Sequence, residues 1–171
     1  MMSTKLLKAV AASCALLIMA SPSFGVTTGG PLLSVAVQTG SAPFLTTSTT
    51  YVNIPGASVA TTVPNGGGLV HVTFSAECQL RGSNPSGGAP YDWVEIRVLL
   101  NGAPMQPNDT GSPTAFCEAD AYSLNSGQWT RRVSASGAAH VQVQVRVATA
   151  SAITGETAWV DDFNLKVEVY Q

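Results

Sequence analysis

Charge is scarce in this 171-residue chain: eight Lys and Arg stand against ten Asp and Glu, and charged residues make up 11% of the whole. So few cations exclude the broad basic face that a phosphate backbone demands. Histidine is limited to His71 and His140, and no Gly-x-Ser-x-Gly elbow or other nucleophile signature accompanies either. The cluster Gly66-Gly67-Gly68 is followed by no Lys-Ser/Thr pair, which removes a phosphate-binding loop. No segment has the ligand spacing of an EF-hand. Beyond the first 25 residues no apolar run is long enough for a membrane helix, and no window shows a 3.6-residue apolar period.

What is present starts with Met1 to Lys8, basic through Lys5 and Lys8, then the apolar run 9–20, then Ser21-Pro22-Ser23-Phe24-Gly25. A basic start, an apolar run of about a dozen residues and small residues before a cut form a secretory signal, too short to span a bilayer. The expectation is a signal peptide over 1–25 and a single domain over 26–171, secreted or periplasmic. Cys14 lies inside the apolar run rather than after it, so it leaves with the signal. Loss of Lys5 and Lys8 leaves six basic residues against ten acidic ones, a net charge of about −4.

Cys78 and Cys117 then remain, in a chain bound for an oxidising compartment. Cys78 is in phase with Val70, Val72, Phe74 and Ala76, and Cys117 with Ala115, Ala119 and Ala121, so both point inward, with Phe116, Glu118, Asp120 and Tyr122 on the opposite, outward phase. A Cys78–Cys117 bridge is expected. Closing a loop of about 40 residues is worth about 4 kcal/mol in the chain-entropy estimate. The competing reading, free thiols or a metal pair, lacks the further Cys or His a metal site requires.

The clearest strand is His140-Val141-Gln142-Val143-Gln144-Val145-Arg146-Val147, where four valines alternate with polar residues. Comparable patterns predict strands over 31–38, 44–54, 57–63, 69–79, 94–100, 114–124, 128–135 and 158–170. Turns are expected at Pro55-Gly56, Asn101-Gly102 and Asn125-Ser126-Gly127. Long polar loops are expected over 81–90 and 105–113. Eight or nine short strands with one apolar side each predict an all-β fold: a two-sheet antiparallel sandwich, jelly-roll-like, with one disulfide. An immunoglobulin topology is disfavoured because Trp93 lies out of the core phase set by Val94, Ile96, Val98 and Leu100.

The runs 44–63, Leu69-Val-His-Val-Thr-Phe-Ser-Ala-Glu, Trp93-Val-Glu-Ile-Arg-Val-Leu-Leu-Asn-Gly and Gly137-Ala-Ala-His-Val-Gln-Val-Gln-Val resemble small exported bacterial jelly-roll proteins. In strand order they are also loosely similar to the C1q/TNF-type sandwich, which implies a homotrimer. The closing Trp159-Val-Asp-Asp-Phe-Asn-Leu resembles the last strand of many carbohydrate-binding modules. That resemblance implies a structural calcium near Asp161 and Asp162 in some relatives.

Sugar rings stack on exposed aromatics while carboxylates and amides meet their hydroxyls. Tyr91, Asp92, Trp93 and Glu95, where a loop runs into a strand, hold that mixture, and Tyr122 is a second aromatic candidate; the other reading is aromatics capping the sandwich ends. Calcium needs several oxygen ligands, which Asp161 and Asp162 supply with Asn108-Asp109 and Glu118/Asp120 as helpers; the other reading is a charged edge or bulge. No other cofactor is expected. A glycosidase would need two carboxylates about 5 to 10 Å apart on one face. Glu77 and Glu95 are the pair to consider, but outward glutamates on a sheet are ordinarily just solvated. The expectation is a non-catalytic module binding an extracellular ligand, a glycan foremost. The alternative is a structural or assembly protein forming a C1q/TNF-like homo-oligomer.

Overall fold

The computed structural model describes residues 30–82, 92–111, 114–118, 121–149 and 155–171. The expected signal segment, Tyr91 and Asp120 lie outside them. Ten strands appear among the described residues: β1 Leu32–Gly40, β2 Phe44–Thr46, β3 Val52–Val63, β4 Gly68–Arg81, β5 Trp93–Leu100, β6 Ala103–Pro104, β7 Ala115–Cys117, β8 Ser123–Val133, β9 Gly137–Ala148 and β10 Thr157–Tyr170. They form two antiparallel sheets. The first has the order β1-β10-β4-β8, with β2 also on β10; the second has the order β3-β9-β5-β6, with β7 also on β5. From β3 to β10 the chain changes sheet at each connection except those joining β5, β6 and β7, which is the interleaving of a jelly roll.

The alternating valines make this arrangement. β9 lies between β3 and β5, and Val141, Val143, Val145 and Val147 are fully or almost fully buried. Each such side chain is worth at least about 1.5 kcal/mol by its removal from water. From the opposite sheet, Val70, Val72 and Phe74 of β4 and Leu165 and Val167 of β10 meet them. Phe74 lies 5.8 Å from Phe116 and 5.9 Å from Phe163, ring centre to ring centre. The expected bridge is present: Cys78 of β4 is bonded to Cys117 of β7, tying the two sheets with Cα atoms 6.1 Å apart.

Four expectations need correction. Pro55-Gly56 does not turn the chain; it sits in a register shift between Asn53 and Ser58, so β3 runs on as one strand. Asn125-Ser126-Gly127 lies inside β8, paired with Ala76, Ser75 and Phe74. Phe116 is buried rather than outward, because a register shift where β7 meets β5 lets Phe116 and Cys117 both face inward. The segment after Ala103 is no free polar loop. Met105 is fully buried with its N–H on Val98 O, and Gln106 exchanges both backbone bonds with Thr130. This segment therefore closes the gap between β5 and β8 at one side of the sandwich.

The side is plugged by Trp129, opposite Val72, which is 1% exposed and donates from Nε1 to Asn108 Oδ1 at 2.6 Å. Asn108 Nδ2 donates in turn to Thr114 Oγ1 at 2.8 Å. Gly127 makes room for the indole, since a Cβ there would lie 2.5 Å from the Trp129 ring. Gly127→Ala is therefore expected to lower stability by about 1 to 3 kcal/mol through overpacking. The urea midpoint should fall at unchanged slope; an unchanged midpoint would show that the indole yields freely.

Candidate functional site

The register of the strands brings several ends together. β4 finishes where β10 starts, with Arg81 opposite Thr157; β5 starts where β9 finishes, with Trp93 opposite Ala148. Cys117 pairs beside Val94, and Cys78 lies opposite Ser123. One end of the sandwich thus collects Asp92, Trp93, Glu156, Tyr122, Arg81 and Trp159.

Of the five candidate ligand residues, Tyr122 is the one among those described that stands half-exposed, at 51%. Its ring meets Trp159 edge-on, with centres 4.7 Å apart and planes at 77°. The Arg81 guanidinium lies 3.5 Å from the centre of the Trp159 ring and donates from Nη2 to Tyr122 Oη at 2.8 Å. Arg81 Nε is held by Gln79 Oε1 at 2.9 Å. Trp159 is on the outer phase of β10, with Leu45 of β2 on one side and Gln79 of β4 on the other. Tyr122, Trp159, Arg81 and half-exposed Leu45 form a surface that is aromatic at its centre and polar at its rim. A guanidinium on an indole face is worth about 0.5 to 1 kcal/mol at an exposed site, so the group is pre-ordered.

The remaining candidates are placed differently. Trp93 takes the outward phase, as its spacing indicates, but is only partly exposed. Glu95 is also outward, yet 2% exposed, because Tyr51 covers it. Tyr51 Oη donates to Glu95 Oε1, and Arg146, directly opposite on β9, donates to Glu95 Oε2 from Nε at 3.0 Å and Nη2 at 2.7 Å. The Arg97 and Arg146 guanidinium groups lie 3.8 and 4.7 Å from the Tyr51 ring centre. Burial first, and the bond to Glu95 second, push the Tyr51 hydroxyl up to about 12. Glu95 is therefore committed to the fold. Glu77 projects from the other sheet, so these two carboxylates do not share a face.

Asp161 and Asp162 occupy a bulge in β10, where the ladder to β4 shifts between Asp161 and Asn164. Asp162 has φ 42°, and Asp161 Oδ1 accepts its N–H at 2.8 Å. Asn108 is committed to Trp129 and Thr114. No three His, Cys, Asp or Glu side chains converge among the described residues. His71 stands on the outer face with Nδ1 2.9 Å from Glu168 Oε2, and Lys166 approaches the other oxygen at 3.2 Å.

Residue spacing missed two groups here. Trp159 had a signal, since it is out of phase with buried Ala158 and Val160. Glu156 had none. It is 3% exposed, its carboxylate oxygens meet no hydrogen-bond partner among the described residues, and the Asp92 carboxyl, itself 6% exposed, lies near enough to act on it electrostatically. Burial and the Asp92 carboxyl push Glu156 up to about 7.

Fold and site define a jelly-roll sandwich whose loop end carries an aromatic, guanidinium-capped surface above a buried carboxyl pair. No family model matches the chain, and no curated protein does. Among solved structures it is similar to one described as the cyanophage Pam1 capsid asymmetric unit, at 19% identity over 96% of this chain and 99% of that one. The TM-score of 0.33 makes that likeness too distant to bear on fold or function. No helix among the described residues is long and apolar enough to cross a membrane.

The raised Glu156 pKa makes a pH prediction. The native state holds this proton more tightly than the unfolded chain, so its contribution is full below the unfolded value of 4.5 and fades as pH rises to about 7. Melting temperature is expected to fall across that window by the equivalent of about 2 to 3 kcal/mol, and Glu156→Gln should flatten the profile. A wild-type profile as flat as the variant's would contradict the buried pair. Glu168, held below the usual carboxylate value mainly by its bond to His71, acts only below that window.

Proposed function

We propose that the protein is an exported, non-catalytic β-sandwich that binds an extracellular saccharide at the loop end, with Tyr122, Trp159 and Arg81 as its central residues. The observation that carries this reading is the half-exposed Tyr122 ring set edge-on against Trp159 and fixed there by Arg81. An aromatic surface offers the apolar face of a sugar a stacking partner, and the guanidinium and the exposed Glu77 carboxylate beside it offer bonds to hydroxyls. The basic and apolar start of the chain and the Cys78–Cys117 bridge both suit an oxidising compartment.

A glycan array probed with the mature chain tests the reading. Retention of a defined glycan is expected, and Tyr122→Ala should weaken it about tenfold, equivalent to about 1.4 kcal/mol, with the far-ultraviolet dichroism unchanged. Absence of any retained glycan, or equal retention by Tyr122→Ala and Trp159→Ala, would overturn it. Turnover of a chromogenic glycoside that disappears in Glu95→Gln would overturn the non-catalytic part.

A further inference from the structure

Strand β1 wears its apolar side chains on the solvent side. In its register with β10, Val35 lies beside Glu168 and Val37 beside Lys166 on the outer face, while Ala36 lies beside buried Val167. Val35 is 49% and Val37 57% exposed, with Leu32 and Leu33 close behind. Four of the seven exposed large apolar residues among those described thus sit on one nine-residue strand. The strands β4, β9 and β10 follow the opposite rule, apolar inward and polar outward.

The edge of β1 is also unguarded. Its ladder partner among the described residues is β10, on one side only. Free edges are ordinarily protected by charged residues, prolines or bulges. From Leu32 to Gly40 there is no charged residue and no proline, and the register is regular from Ser34 onward.

We propose that β1 pairs antiparallel with β1 of a second copy about a two-fold axis at Ala36, joining the two β1-bearing sheets into one. This does not rest on the saccharide reading. The axis sets Val35 opposite Val37 of the second copy, and Val37 opposite its Val35, so the exposed valines cover one another. It also orders the outer face by charge. Across the seam each row reads Glu168, Val35, Val37, Lys166 in one direction and Lys166, Val37, Val35, Glu168 in the other, so acid of one copy is level with base of the other. An uncharged edge meets itself without repulsion, and a two-fold contact of this kind closes on itself. A basic or acidic partner, by contrast, would find no counter-charge on the strand.

Sedimentation of the full mature chain over a concentration series tests this. The wild type is expected to be a monomer–dimer system, and Val35→Lys with Val37→Lys to be monomeric throughout, with unchanged dichroism because both side chains face solvent. Should the double variant fail to fold, Val37→Thr, nearly isosteric and uncharged, is expected to raise the dimer dissociation constant about tenfold. A strictly monomeric wild type, a trimer, or a dimer indifferent to these substitutions would overturn the proposal. So would protection from exchange, in a monomer, of the β1 amides that point away from β10, which would assign the cover to residues before Gly30, or capture of the monomer by lipid vesicles.

Discussion

Two inner faces of alternating side chains must meet across one gap, and the placement of nearly every residue in this protein follows from that constraint. β9 supplies the reference, with four valines turned inward between β3 and β5. β4 and β10 supply the matching face. Because the side-chain period is two, one added residue reverses everything beyond it. Any odd excess has the same effect: three extra residues around Pro55-Gly56 keep Ile54 and Ala57 both buried, one at Asp161-Asp162 does the same for Val160 and Phe163, and the shift between β7 and β5 does it for Phe116 and Cys117. The second shift leaves Trp159 outward on the loop side of the bulge.

These reversals were legible in principle. Buried apolar residues three apart, Ile54 to Ala57 and Val160 to Phe163, cannot share a face of a regular strand, so an odd number of extra residues is implied at each place. The sandwich, the Asn101-Gly102 hairpin with positive φ at both residues, and the disulfide were readable because each rests on local pattern or on phase. The face of β1 was not readable, since alternation tells two sides apart without telling which one is covered. Trp129 escaped because its neighbours on the inner phase of β8, Gly127 and Arg131, do not read as core.

The groups with the richest chemistry were the least visible. Tyr51, Glu95 and Arg146 are 44 and 51 residues apart in pairs, and only the β5–β9 register and the path before β3 bring them together. The same holds for Asp92 and Glu156. Spacing placed Glu95 on an outward face, and that was right, but exposure depends on what lies across the face. Tyr51 and Arg146 there turn an outward carboxylate into a buried one. The aromatic surface was half visible: Tyr122 was readable as a candidate, whereas its partners Trp159 and Arg81 depend on the pairing of β10 with β4.

If the inner strands hold the molecule and the outer elements only decorate it, stability must be graded from centre to edge. Residue-resolved amide hydrogen exchange measures this directly. The slowest amides are expected in β4, β5, β9 and β10, with β6 and β7 far faster. Exchange of the Val141 to Val147 amides at the rate of β6 and β7 would contradict this grading.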